Sequence, residues 1–189
     1  MKSLAFLSVL ARWLSSLRRD QRGVSAVEFA MVLPLMVTMY IGVVEVANGI
    51  AIQRKVTLAA RTVADLATQF RTIKNDDKDS ILKAAPAILF PNSAGPLKVT
   101  LSAVNIDANG IARIAWTDAF NGGTTPRAKD DVVTLPTDAL NVPNTQLIWG
   151  EVTYTYKPGL GDWFIEEIDL KDNMFMRPRL TESVTRDPS

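Results

Sequence analysis

The chain has 189 residues, 21 Lys and Arg against 20 Asp and Glu, 47% hydrophobic residues, and neither histidine nor cysteine. That length fits one modest domain with extensions, and the balanced charge offers no basic field for nucleic acid. Without His or Cys there are no disulfides, imidazole or thiolate metal sites, cysteine nucleophiles or Ser-His-Asp triads. An enzyme is therefore a poor expectation, and no metal, cofactor or small-molecule substrate is expected.

The balance hides an asymmetry. Lys2, Arg12, Arg18, Arg19 and Arg22 oppose only Asp20 at the start of the chain. Leu7, Leu10, Leu14 and Leu17 fall at helical spacing there, the pattern of a short basic amphipathic helix on a membrane surface. Arg12 interrupts the apolar run early and no small-x-small cleavage site follows, so residues 1–23 are expected to be a leader and not a conventional secretory signal.

Next comes the most apolar stretch. Residues 29–44 read FAMVLPLMVTMYIGVV without a charge, and small or apolar neighbours extend the run to 24–52. About 29 residues make a helix of roughly 43 Å, longer than the ~30 Å hydrocarbon core of a bilayer. A buried core helix would show a polar face and this run shows none, so a single transmembrane helix over 24–52 is expected. The basic flank predicts a cytoplasmic N-terminus and a translocated C-terminal bulk, although Arg54, Lys55 and Arg61 on the far side weaken the bias.

The junction reads Arg22-Gly23-Val24-Ser25-Ala26-Val27-Glu28-Phe29. A glycine separates the charged arm from the apolar helix, and a carboxylate sits just inside a membrane segment, where it needs a partner. This order resembles a type IV prepilin signal. The longer string GVSAVEFAMVLPLMVTMYIGVVEVANGIAIQRKVTLAAR, with AVEFA, LP, Gly-x-x-Glu and Ala-Ala-Arg in that order, is similar to the TadE-like pseudopilins of tight-adherence (Flp-type) pilus assembly. The resemblance implies cleavage between Gly23 and Val24 by a membrane prepilin peptidase. It implies further that Glu28, followed by Phe29, pairs with the new Val24 amine of a neighbouring subunit, an amine with a reference pKa near about 7.7–8.0. The other reading of Glu28 is a side chain that snorkels to the interface. Major subunits of such pili are much shorter chains, so the resemblance implies a minor pseudopilin in the inner membrane, C-terminal domain periplasmic, whose partners are the peptidase and other pilins. The alternative is a membrane-anchored periplasmic binding module with an uncleaved signal anchor.

Within the helix, Pro34 removes one backbone donor and is expected to kink it. Glu45 and Asn48 lie one turn apart, lining a helix–helix contact or facing headgroups; Ala47 and Ala51 have the small-xxx-small spacing of close helix packing. Beyond the membrane, Val56, Ala59, Ala60, Val63, Ala64, Ala67 and Phe70 recur at three and four, predicting that the helix continues to about Ile73 with one apolar stripe. The charged run at 75–80 is expected to break it, with Asp79 or Ser80 capping a second helix from Ile81 that Pro86 kinks or ends. Residues 53–90 thus read as a helical extension and 91–189 as a β-rich domain with a polar tail.

After Pro96 the period changes to two. Strands are expected over 97–101, 111–116, 146–156 and around 174–184, with a turn at Asp107–Gly110, a loop around Gly122, Gly123 and Pro126, and a short apolar segment at 132–135. The fold class expected is α+β, a long helix followed by a small antiparallel sheet, pilin-like by the resemblance. Several motifs are declined as sites. Asn105, Asp107 and Asn109 imitate a calcium loop but Trp116 stands where its last ligand belongs. Ser80–Lys83 lacks the companions of a serine acylase, and Glu166, Glu167 and Asp169 read as solvated carboxylates. Gly159 and Gly161 before Asp162 lack a phosphate-loop context. Trp116, Trp149, Tyr154, Tyr156 and Trp163 read as core aromatics.

Overall fold

The computed structural model describes residues 22–123, 127–159 and 166–189. Residues 1–21 of the leader, Pro126, and Gly161, Asp162 and Trp163 lie outside them. By internal contacts the chain divides into two units, Met1–Val44 and Glu45–Ser189.

In the first unit the described residues are helical, the opening part of helix α1 (Arg22–Thr68, 47 residues). Every residue from 23 to 40 is exposed, including Phe29, Met31, Leu35 and Met39. Its most apolar 18-residue window has a mean hydropathy of 2.0 and no buried residue. Among the described residues this one helix is long and apolar enough to cross a membrane. Pro34 lies inside it, and the Thr38 hydroxyl donates to the Pro34 carbonyl at 2.8 Å, a local bond that satisfies the hydroxyl within an apolar run.

The second unit is built on a four-stranded antiparallel sheet. Its strands are β2 (Leu97–Ile106), β3 (Ala112–Phe120), β4 (Thr145–Tyr156) and β5 (Ile168–Met176), in the spatial order β3-β2-β4-β5. The rest of α1 covers one face. Ile52, Val56, Ala59, Ala60, Val63, Ala64 and Ala67 are buried and share one cluster with Val99, Leu101, Ile148 and Val152 of the central strands. Four of those seven helix positions are alanine, which lets the helix axis come close to the sheet. Gly150 of β4 completes the fit: an added Cβ would lie 2.8 Å from the Ala60 carbonyl oxygen and 3.1 Å from the Ala64 methyl. This is a glycine required by close approach, not by conformation.

α1 ends at Thr68, short of Ile73. Gln69 and Phe70 donate to the carbonyls of Leu66 and Ala67, tightening the last turn, and the Arg179 amide takes the Thr68 carbonyl. Thr72–Ile73 then forms a short strand, β1, paired in parallel with β6 (Thr185–Arg186). The second helix, α2, runs Asn75–Leu89 and so starts six residues before the expected Ile81. The acidic run is its first turn, not a break: Asp76 and Asp77 lie at the positive end of the helix dipole, and Asp77 accepts from the Lys74 amide at 3.1 Å. Pro86 lies inside α2. Ile81, Leu82, Ala85 and Leu89 join the main cluster. Lys55 of α1 donates to the Leu89 and Phe90 carbonyls at 3.3 and 3.0 Å, serving the open C-terminal carbonyls of α2. One of the cations that weakened the orientation bias is thus occupied by the fold.

One strand expectation needs correction, and two other segments prove to be part of the packed fold. Residues 132–135 form no strand; Val132 makes an isolated bridge to Arg113 at the sheet edge, while Val133 and Leu135 pack over a second cluster of Val104, Ile106, Ile114 and Leu147 on the other face. The last long strand is Ile168–Met176, not 174–184. Its alternation is masked because Asp172, opposite Val152 on the helix-facing side, points inward, where the Thr57 hydroxyl donates to its carboxylate. The polar tail is also part of the fold. Val184 is fully buried, and Arg186 reaches Asp118 at 2.7 Å, the Ile73 carbonyl at 3.1 Å and Asn75 at 2.6 Å.

Candidate functional site at the helix junction

Gly23, Val24, Glu28 and Phe29 occupy the first two turns of α1. Val24 and Glu28 are four residues apart, which places them on one side of the helix, one turn from each other. Val24 is 55% and Phe29 60% exposed, and Glu28 is exposed as well. Among the described residues nothing asks for glycine at position 23. An added Cβ would meet no atom within 4 Å, and a glycine in a helix costs about 1 kcal/mol relative to alanine.

Ala47, Asn48 and Ala51 are exposed, whereas Glu45 is 5% exposed. Exposure of Glu45 to headgroups, one of its two readings, is replaced by an internal contact. The Tyr156 hydroxyl donates to Glu45 Oε2 at 2.7 Å. Burial, then the hydrogen bond and the negative charge of Glu45, push the Tyr156 phenol up to about 12. Burial pushes Tyr154 up in the same direction.

The motifs declined from sequence are occupied by structure. Asp107 Oδ1 accepts from the Asn109 and Ile111 amides at 2.8 and 2.9 Å, closing the β2–β3 turn with Gly110 at φ 79°. Ser80 donates to the Asp76 carbonyl one turn back in α2. Asp169 pairs with Lys171 and accepts from Thr155, which holds its carboxyl below the usual range, the Thr155 bond being the larger cause. Trp116 Nε1 donates to the Val184 carbonyl at 2.9 Å, and Tyr154 is buried. Trp149 stacks on Phe175 with ring centroids 4.7 Å apart, beneath the Arg127 guanidinium at 3.8 Å. Arg127 in turn forks onto Glu151, one arm at 2.9 Å. Among the described residues no group of three or more carboxylates converges as a metal site.

Sequence reasoning missed the Glu45–Tyr156 pair and the Arg186 contacts. Tyr156 is 111 residues from Glu45, and the partners of Arg186 are 68 to 113 residues away, separations that no local period records.

No curated protein and no solved structure matches the chain. A family model described as TadE-like protein matches residues 23–65. The match begins at the junction glycine and ends within the packed part of α1, so it is the helix carrying Gly23, Glu28 and Glu45 that is similar to this family.

Proposed function

We propose that the chain is a minor pseudopilin of a tight-adherence (Flp-type) pilus or secretion system, with a structural and not an enzymatic role. It is held in the inner membrane by α1, N-terminus cytoplasmic and C-terminal domain periplasmic. A prepilin peptidase cuts between Gly23 and Val24. The freed ammonium of Val24 and Glu28 of a neighbouring subunit then neutralise each other, turning two charges that are costly in an apolar setting into one satisfied pair. Other pilins and pseudopilins of the same system are the partners, reached through the exposed surface of the helix, with Phe29 and Pro34 on that surface.

The observation that carries this reading is Gly23, a glycine with open space around it and no turn to make, standing where the TadE-like match starts. Recognition by a peptidase that must reach the peptide bond explains it; packing does not. The test is expression with and without a prepilin peptidase, followed by N-terminal sequencing from membranes. The expected result is a chain beginning at Val24 only when the peptidase is present, and an uncut Gly23→Leu variant. Recovery of the Met1 end in the presence of the peptidase, or unchanged cutting of Gly23→Leu, overturns the proposal.

A further inference from the structure

Glu45 stands where three independent features coincide. It is the first charge after the uncharged residues 29–44, the first buried position along the described side chains of α1, and the first residue of the second compact unit. A carboxylate persists in a buried position only where it is hydrogen-bonded. The surroundings of Glu45 are built for that. Tyr156, the last residue of β4, lays its ring beside Gly49, one turn beyond Glu45, where an added Cβ would come 3.8 Å from the ring. Its hydroxyl then reaches Glu45 Oε2 at 2.7 Å. The backbone just past β4 comes in beside the same carboxylate, an added Cβ at Gly159 lying 3.9 Å from Oε1. The notch between Glu45 and Gly49, at i and i+4, thus receives a tyrosine lengthwise.

We propose that Glu45, Gly49 and Tyr156 form a clamp that fastens the end of β4 to α1 at the residue where the uncovered apolar stretch stops. β4 is an inner strand of the sheet, so the clamp ties the helix to the middle of the sheet at the end of that strand. Glu45 acts here as a positioning residue, and its role does not depend on cleavage at Gly23. The high affinity of Tyr156 for its proton, set by burial and by Glu45, keeps the hydroxyl a donor at physiological pH.

The test is amide hydrogen exchange on the full chain in phosphatidylcholine nanodiscs, comparing Glu45→Ala, Glu45→Gln, Tyr156→Phe and the double variant Glu45→Ala/Tyr156→Phe. Loss of a hydrogen bond to a charged group is expected to speed exchange of residues 45–52 and 152–159 about tenfold or more, with no change in the 97–120 hairpin. Glu45→Gln keeps an acceptor and is expected to recover most of the protection, and the double variant is expected to match the stronger single one. Tyr156→Phe keeps the ring, so it carries the test if Glu45→Ala fails to fold. Unchanged exchange in both segments, additive effects in the double variant, or equal acceleration in the hairpin overturns the clamp. The N-terminus of each sample is sequenced alongside, so that a failure of leader processing is told apart from a failure of the clamp.

Discussion

Residues 23–40 and 52–67 belong to one helix and are both rich in apolar side chains, yet they solve opposite problems. The first stretch uses Phe29, Met31, Leu33, Leu35, Met36 and Met39 and leaves every residue exposed. The second uses mostly alanine and buries seven positions against the sheet. Small side chains suit a surface that must come within contact distance of a backbone, as the fit at Gly150 shows. Large side chains on an uncovered helix make an apolar surface far beyond what a water-facing protein carries, and are stable only in lipid or against other helices. Apolar content alone does not distinguish the two uses; side-chain size and period do.

The sharpest way to break that comparison is to put the same charge into each stretch. Val63 has no exposed surface, so Val63→Asp buries an unpaired carboxylate and is expected to cost about 4 kcal/mol or more, enough to unfold residues 45–189. Val37 is 46% exposed, and Val37→Asp is expected to leave that fold intact while adding roughly 2.5–3.5 kcal/mol to the cost of membrane insertion. Thermal unfolding followed by circular dichroism in mild detergent reads the first effect, and alkaline extraction of membranes reads the second. A Val37→Asp chain that melts like Val63→Asp, or that stays fully membrane-bound, contradicts the division of labour.

A smaller effect separates two glycines. Gly150→Val drives a side chain into the Ala60 carbonyl, which backbone geometry cannot move cheaply, and is expected to destabilise by about 3 kcal/mol. Gly42 has nothing within 4 Å, and Gly42→Ala is expected not to lower the unfolding midpoint. Urea titrations of the two variants in the same detergent make the comparison direct. Equal stability of Gly150→Val and the parent chain would mean that α1 does not lie on β4 at this distance.

Legibility follows the same physical division. The stripe Val56, Ala59, Ala60, Val63, Ala64 and Ala67 can be read from sequence because burial against a flat sheet imposes the helical period on every position. β4 can be read because Leu147, Ile148, Trp149, Val152, Tyr154 and Tyr156 put apolar or aromatic side chains at half of its twelve positions. The order of Gly23, Glu28 and the apolar run marks the junction. What stays hidden is everything decided by a distant partner. Asp172 looks like a surface residue until Thr57 is opposite it. Val184 lies in a polar tail, yet it is buried where its amide donates to Gln146. Asp76 and Asp77 look like a linker because charge density marks loops and helix starts alike, and only the dipole favours the second. Glu45 shows the limit best: its position at the end of the uncharged run is visible, and its tyrosine is not.

That tyrosine gives the smallest effect and a direct readout. Its phenol is pushed from an ordinary 10.0 up to about 12, first by burial and then by its hydrogen bond to Glu45. The folded chain holds this proton more tightly than the unfolded chain, so the contribution to stability is complete below about pH 10 and is lost as pH rises from about 10 to about 12. A spectrophotometric phenolate titration of the folded protein is expected to show a late step near pH 12 that disappears in Tyr156→Phe. Glu45→Ala removes two of the causes and leaves burial and the neighbouring Tyr154, so it is expected to lower that step without returning it to the ordinary value. Over the same range the unfolding midpoint of the parent is expected to fall more steeply than that of Tyr156→Phe. A late step that survives Tyr156→Phe, or that does not move in Glu45→Ala, would show that the carboxylate and the phenol do not share a proton environment, and the contact between the helix and the end of β4 would then have to rest on packing alone.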